Sequence, residues 1–105
     1  MPFKLRSLPS YERCVKKLGS REKHAAKLII EALTVYFHSE YPVGKVFEAS
    51  LEGRSYRLVF KKLRGTTWEA YLEGKMRVLT HLEKGTHYLV FAGNHDQVRQ
   101  FPKEN

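Results

Sequence analysis

The sequence has 105 residues, of which 42% are hydrophobic and 29% charged, a composition that fits one globular domain over residues 1–105 and excludes a disordered chain. No apolar run approaches the ~18 residues that a transmembrane helix needs, so we expect no membrane partner. Nineteen Lys and Arg against eleven Asp and Glu give a net charge of +8, which favours binding to a polyanion or to an acidic protein.

The N-terminal part predicts one short strand followed by two helices. "FKLRSL" alternates apolar and basic residues as a strand does, and Pro9 ends it. "SYERCVKKLG" has helical spacing with Ser10 as a candidate N-cap, and Gly19 is a natural stop. "SREKHAAKLIIEALTVYFHSEYP" begins at Ser20 as cap and carries a broad apolar face, which indicates a longer helix packed on a sheet.

From residue 44 onward the pattern changes to the alternation of β-strands. Four strands are predicted, at "RSYRLVFKK", "TTWEAYL", "KMRVLTHL" and "THYLVFA", with turns at "EG" (Glu73 and Gly74) and at "EKG". The first of these places Arg57, Val59 and Lys61 on one face of the sheet. The predicted strands form a meander of adjacent antiparallel strands, and the order of one strand, two helices and then several strands indicates an α+β fold.

The strand "KMRVLTHL" places Lys75, Arg77, Leu79 and His81 on one face and a more apolar set on the other. Two cations and an imidazole on one strand face suit a phosphate backbone that crosses the sheet. The turn "KKLRG" adds Lys61, Lys62 and Arg64 to the basic residues. A solvated surface explains both patterns without any ligand, so the alternative stays open.

The stretch "YLVFAGNHDQVRQF" ends a core strand in a glycine and brings titratable groups and an aromatic directly after it. His95 has a reference pKa near neutrality, so it could act as an acid or as a base. Phe101 could stack on a nucleobase, with Arg99 beside it on the RNA. The other interpretation is structural: a histidine in a turn, Asp96 as the cap of a short helix, and Phe101 as a plug at the sheet edge.

Other chemistries have no support in the sequence. The five histidines are scattered and the single cysteine, Cys14, has no partner for a zinc site, so we expect neither a metal nor another cofactor. A phosphate-binding glycine loop and a serine elbow are both missing, which argues against nucleotide hydrolysis and ordinary acyl transfer. A lone cysteine and the lack of a signal-peptide core also predict a cytoplasmic protein.

The chain as a whole resembles the RelE/ParE superfamily of bacterial toxins from type II toxin–antitoxin modules. The resemblance rests on the first strand "FKLRSL", the helix entry "PSYERCVKKL", the long second helix, the strand "GRSYRLVF" with its "YRL", and the closing "LVFAGNHDQVRQF". Its most specific part is the spacing of Gly93, His95 and Phe101. The sequence departs from the family in the longer segment 61–76, and it has His95 where some RNA-cleaving members have arginine.

The resemblance implies an α+β domain in which a twisted antiparallel β-sheet carries two N-terminal helices packed on it. It also implies a metal-independent endoribonuclease that enters the ribosomal A site and cuts mRNA by attack of the ribose 2′-hydroxyl on the adjacent phosphate. Carried over by position, His95 would be a general acid or base, Phe101 would orient a base, and Arg57 would lie on the concave sheet face. The strand pattern adds Arg77 for phosphate charge and His81 for a second proton transfer. The candidate RNA-binding residues are Phe101, Lys61, Lys62, Arg64, Lys75 and Arg99.

Two alternatives from other functional classes remain. One branch of the same superfamily inhibits DNA gyrase and has no need for catalytic groups at these positions, and an inactive relative could bind RNA without cutting it. Either toxin implies an antitoxin partner, whose acidic or amphipathic helix would cover the basic surface.

Overall fold

The computed structural model describes residues 4–39 and 46–100, and within them it has six strands and three helices. In chain order they are β1 (Lys4–Ser7), α1 (Pro9–Lys16), α2 (Ser20–Phe37), β2 (Phe47–Leu51), β3 (Arg54–Arg64), β4 (Thr67–Tyr71), β5 (Met76–Glu83), β6 (Thr86–Asn94) and α3 (His95–Arg99). The predicted mixture of helices and a largely antiparallel sheet is confirmed. In these described ranges, no helix combines the length and the apolar character needed to cross a membrane.

All six strands belong to one sheet, in the order β1-β6-β5-β4-β3-β2. Strands β2 to β6 form an antiparallel meander, whereas β1 lies parallel to β6 at the edge. The expectation of a wholly antiparallel sheet is therefore wrong at this one pair. Hairpins fix the direction of β2 to β6, but β1 and β6 are far apart in sequence and no hairpin constrains how they meet.

The strand β2 was not among the four predicted strands. Its sequence, "FEASL", has no β-branched residue, so its propensity signal is weak. The turn that follows was the better signal, because Glu52 (φ 51°) and Gly53 (φ 77°) have the two positive φ angles of a tight hairpin turn. Lys84 (φ 51°) and Gly85 (φ 80°) repeat this geometry between β5 and β6.

Both helix starts differ from the predicted caps by one or two residues. The first helix begins at Pro9, with Leu8 extended at the N-cap, because proline suits the first helical position. The second helix begins at Ser20 itself, with Gly19 at the N-cap, and the Glu22 carboxylate accepts a hydrogen bond from the Gly19 N–H (3.1 Å). Neither Ser10 nor Ser20 is therefore the N-cap residue.

The core lies between the helices and one face of the sheet, which we call the inner face. Helix α1 packs against β6, and α2 packs across β2, β3, β4 and β5. The sheet side of the core consists of buried residues that alternate along β2 and β3 and continue on β4, β5 and the bulged β6: Ala49, Leu51, Leu58, Phe60, Ala70, Val78, Leu89 and Ala92. The predicted alternation of β3 is confirmed here, because Leu58 and Phe60 are fully buried and Arg57 and Lys61 are exposed.

A cluster of rings fixes the C-terminal end of α2 to the inner face. Tyr36 and Phe37 both contact the Phe60 ring edge-on, with centroids 5.8 and 5.5 Å away. Trp68 stacks on the other side of the cluster against Phe60 (5.1 Å). These aromatic contacts contribute beyond the apolar area that they bury, roughly 0.5–1.5 kcal/mol for each pair.

The imidazole of His87 lies inside this cluster with no exposed surface. Its ring contacts those of Phe37, Phe60 and Trp68 at 5.4, 5.0 and 5.6 Å. Its Nδ1 shares a 2.7 Å hydrogen bond with the buried Thr80 hydroxyl. Because burial among rings disfavours the charged form, the pKa of His87 is lowered to about 4 from its ordinary 6.5.

We predict that acid weakens the fold through His87. Above pH 6.5 the imidazole of His87 is neutral in both the folded and the unfolded state. Between pH 6.5 and 4 it is protonated in the unfolded chain but stays neutral in the folded chain. The free energy of unfolding should fall over this window by up to about 3 kcal/mol. Urea unfolding followed by fluorescence of Trp68, the only tryptophan, measures it.

The matched variant is His87→Gln, which keeps a hydrogen-bonding partner for Thr80 and cannot titrate in this range. Its unfolding free energy should be lower at pH 7.5 but nearly flat between pH 6.5 and 4.5. An equal slope in both proteins would show that other groups cause the acid sensitivity.

Candidate nucleic-acid interface

The face of the sheet turned away from α1 and α2, which we call the outer face, carries the polar side chains of the strands. Cross-strand pairs place these residues on it together: Val59 with Tyr71, Lys61 with Glu69, Glu69 with Leu79, Thr67 with His81, and Glu48 with Arg57. Arg77 pairs with Gly93 on the same face. The pairing of the strands thus places Arg57 and Lys61 of β3 on the same face as Arg77 and His81 of β5.

Tyr71 is the aromatic centre of this face. The Arg77 guanidinium lies over its ring, with Cζ 3.9 Å from the centroid, and the Lys61 ammonium approaches the ring at 5.8 Å. Contacts of this kind hold a cation by the negative face of the ring. Two cations are thus ordered around one half-buried aromatic side chain.

Arg77 is held by more than the ring. Its Nε lies 3.8 Å from Oε2 of Glu69, and its Nη1 donates to the carbonyl oxygens of Gly74 (2.9 Å) and Met76 (3.1 Å). The side chains of Arg77 and Glu69 are only 15% and 6% exposed. Because the Glu69 carboxylate offsets part of its charge, Arg77 orders Tyr71 and the turn at Gly74 as much as it attracts a phosphate.

Arg57 lies beside the same ring and is exposed. Together with Val59, Tyr71 and Glu73 it lines a shallow depression of about 230 Å³. With two strand spacings between β3 and β5, the Cα atoms of Arg57 and Arg77 are roughly 12 Å apart. Arg57 and Tyr71 line this depression together, and the Arg77 guanidinium lies over the Tyr71 ring.

His81 lies at the other end of the outer face. It is four residues from Arg77 on β5, which corresponds to roughly 13 Å along the strand. Its Nε2 faces a Glu83 carboxylate oxygen at 3.5 Å, and its Nδ1 shares a 2.8 Å hydrogen bond with the Thr66 hydroxyl. A carboxylate only accepts, so Nε2 is the nitrogen that donates toward Glu83, while the direction of the bond between Nδ1 and Thr66 follows the protonation of Nδ1.

His95 is the first residue of α3 and is exposed. Asn94, and not Asp96, caps this helix, because its Oδ1 accepts from the Gln97 N–H (2.8 Å) while Gln97 Oε1 accepts from the Asn94 N–H (2.8 Å). The expected fold, with two N-terminal helices, therefore lacks α3, whereas the structural interpretation of this stretch had a short helix here and named the wrong cap. A five-residue helix at the chain end depends on its cap, and it shows little periodicity in the sequence.

Gly93 explains why α3 can begin where it does. A side-chain Cβ at this position would meet Gln97 Oε1 at 2.6 Å and the Phe91 ring at 2.9 Å, so a larger residue would have to displace the Gln97 side chain that bonds the Asn94 N–H. Since Gly93 pairs with Arg77, the start of α3 lies at the Arg77 end of the face. His95 and Arg77 are thus neighbours within roughly 10 Å, whereas His81 is not part of this group.

The remaining candidates are spread around the sheet. Lys62 pairs with Trp68 and therefore points to the inner side, away from Lys61, and Arg64 follows a bulge at the His81 end. Lys75 is exposed between β4 and β5, and Arg99 is exposed on α3. Phe101 lies outside the described residues.

Sequence reasoning missed Tyr71 and Glu69, which build the centre of the outer face. Alternation in "TWEAY" was the signal that could have found them, because it places Thr67, Glu69 and Tyr71 on the face of Lys61. The alternation of "KMRVLTHL" placed Leu79 on a solvated face with Arg77 and His81. Leu79 is instead fully buried, between its cross-strand neighbours Glu69 and Phe91.

Over residues 4–39 and 46–100, no group of three or more His, Cys, Asp or Glu side chains is arranged to hold a metal ion. Comparisons of the chain with known protein families, with curated proteins and with solved structures find no match. The resemblance to RelE/ParE toxins therefore rests on sequence motifs alone, chiefly the spacing of Gly93, His95 and Phe101.

We predict that Arg77 and Glu69 are energetically coupled. Arg77→Met should destabilise the fold by about 2–3 kcal/mol, since it leaves a buried carboxylate without its cation, and Glu69→Gln in the same chain should recover part of the loss. A double-mutant cycle from urea unfolding should give a coupling of at least about 1 kcal/mol. Lys61→Met, at the same ring but exposed, should change stability by less than about 0.5 kcal/mol. Additive effects of the Arg77 and Glu69 substitutions would contradict the coupling.

Proposed function

We propose that this chain is the toxin of a type II toxin–antitoxin module and acts as a metal-independent endoribonuclease on ribosome-bound mRNA. The observation that carries the proposal is the outer face, where Arg57, Lys61 and Arg77 surround the Tyr71 ring. The cations carry this argument, because Lys and Arg side chains follow the phosphate backbone of single-stranded RNA, and the Tyr71 ring, over which Arg77 lies, holds them in one group. The net charge of +8 favours the same partner.

Cleavage needs few groups when the nucleophile belongs to the substrate. The ribose 2′-hydroxyl loses its proton and attacks the adjacent phosphorus, the bond to the 5′-oxygen of the next nucleotide breaks, and that oxygen takes up a proton. The products would be a 2′,3′-cyclic phosphate and a free 5′-hydroxyl. His95 is the proposed proton-transfer group, with Arg57 and Arg77 placed to offset the charge that develops on the phosphate.

The geometry narrows the proposed catalytic set. His81 lies roughly 13 Å along β5 from Arg77, whereas His95 closely follows Gly93, the cross-strand partner of Arg77, so the two histidines are not proposed as an acid and base pair on one phosphate. His81, braced by Thr66 and Glu83, is instead proposed to contact RNA further along the strand. The antitoxin is proposed to neutralise the outer face with acidic residues, which would block RNA by occupying the same cations.

The binding part of the proposal predicts a defined salt dependence. The double variant Arg57→Ala with Lys61→Ala should weaken binding of a single-stranded RNA decamer. It should also reduce the magnitude of the negative slope of log K against log salt concentration by about 1.4, the contribution of two phosphate contacts. Fluorescence anisotropy over a salt series measures it. Lys16→Ala with Lys23→Ala removes the same charge from α1 and α2 and should leave the slope nearly unchanged. Equal effects of the two pairs would mean that net charge, and not the outer face, binds RNA.

The catalytic part is tested by expression in a translating extract, with primer extension to map cuts in the transcripts. His95→Ala should abolish cleavage and keep both the fold and RNA binding. The control His24→Ala changes an exposed histidine on α2 that pairs with Glu52 (3.3 Å) and should cleave normally. Undiminished cleavage by His95→Ala would overturn the role of His95. Loss of gyrase supercoiling activity, equal in the parent and in His95→Ala, would favour the gyrase-inhibiting branch.

A further inference from the structure

A groove of about 590 Å³ runs between the edge strand β1 and helix α2, on the side of the sheet opposite the outer face. Leu5, Ile30, Phe37 and Leu89 form its apolar part. Its remaining lining residues are polar or basic: Lys4, Arg6, Ser7, Thr34 and His38. No acidic side chain lines the groove among the described residues.

The backbone of β1 is available along this groove. The strand pairs with β6 on one side, and in the described part of the chain no strand pairs with its other side. The Lys4 N–H donates to the Gly85 carbonyl (3.2 Å) and the Leu8 N–H to the Leu89 carbonyl (3.1 Å). Because backbone groups alternate in direction along a strand, the N–H and C=O of Leu5 and Ser7 point outward. An edge of this kind is a template for one more strand.

The charges beside the edge select what can pair with it. Lys4 and Arg6 are exposed and alternate with Leu5 and Ser7 along β1. A second copy of this chain, pairing through its own β1, would bring like cations into opposition across the new ladder, which is destabilising. An RNA strand could neutralise the cations, but it has no backbone N–H and C=O ladder to match those of Leu5 and Ser7.

We propose that the free edge of β1 binds an extended acidic segment of a partner protein, which joins the sheet as a seventh strand. Its backbone pairs with Leu5 and Ser7. Alternate apolar side chains enter the groove over Leu5 and Phe37, and the intervening acidic side chains lie beside Lys4 and Arg6. The partner motif is therefore four or five residues in which apolar and acidic residues alternate. This assignment does not depend on RNA cleavage.

The probe is a synthetic peptide of alternating Glu and Val, with a Lys and Val peptide of the same length as the charge-reversed control. Amide NMR spectra of the full chain, titrated with peptide to about 1 mM, locate the contact. The acidic peptide should shift the amides of Leu5, Ser7 and Thr34, and hydrogen exchange at Leu5 and Ser7 should slow. The basic peptide should shift none of them.

Ser7→Pro removes one outward N–H and leaves the hydrogen bonds to β6 in place. It should weaken binding of the acidic peptide at least about fivefold. Ser7→Ala is its matched control: it keeps the N–H and loses only the hydroxyl contact with Glu12 (3.1 Å), so its affinity should stay near that of the parent. If the proline variant loses the fold, Lys4→Glu with Arg6→Glu provides a second test, since it should reverse the preference between the two peptides.

Several results would overturn the proposal. Shifts confined to Lys61 and Tyr71 would place the acidic peptide on the outer face by charge alone, and no shift at ~1 mM would mean no strand addition. A dimer that sediments as such without peptide, and that Ser7→Pro dissociates, would make a second copy the occupant. Shifts of Leu5 and Ser7 by single-stranded RNA, in place of peptide, would assign the edge to nucleic acid.

Discussion

The ring cluster beneath the end of α2 is the contact on which the arrangement of the molecule depends. Tyr36 and Phe37 press the last turns of α2 onto Phe60 and the buried imidazole of His87. This contact fixes which face of the sheet is covered. With the apolar side chains of β3 to β6 committed to the inner face, their alternate positions must face outward, and polar residues can occupy them at little cost. The outer face is in this sense a consequence of the core.

The outer face has its own order, because Arg77 is fixed by three kinds of contact: the ring of Tyr71, the carboxylate of Glu69 and two carbonyl oxygens. A side chain held in this way loses little further conformational freedom on binding a ligand. The same contacts reduce its net positive charge. Arg57 and Lys61 are exposed and have the larger share of the charge available to a phosphate, whereas Arg77 sets the position of the aromatic ring. Shape and charge are thus supplied by different residues of one face.

The sequence predicted what depends on local periodicity and missed what depends on register. The apolar face of α2 and the alternation of β3 depend on local sequence, and both were predicted from it. Which end of the outer face His81 and His95 occupy depends on the pairing of β5 with β6, including a bulge after Leu79, and one strand's sequence does not encode that pairing. The strand β2 was missed because "FEASL" has no β-branched residue and only one strand-favouring residue, Phe47, and the strand is stabilised by its neighbour β3. The parallel pairing of β1 is non-local in the same way.

Net charge alone does not distinguish the two surfaces, since both Lys61 and Arg6 belong to the same excess of +8. The neutral groups beside the cations make the difference. A phosphodiester chain offers acceptors and flat bases, so it suits cations grouped around a ring such as Tyr71. A peptide strand offers N–H and C=O groups at a fixed repeat with side chains on alternate sides, so it suits cations placed beside the open backbone of Leu5 and Ser7. Two anionic partners of different chemistry could then occupy one small domain without competing for the same residues.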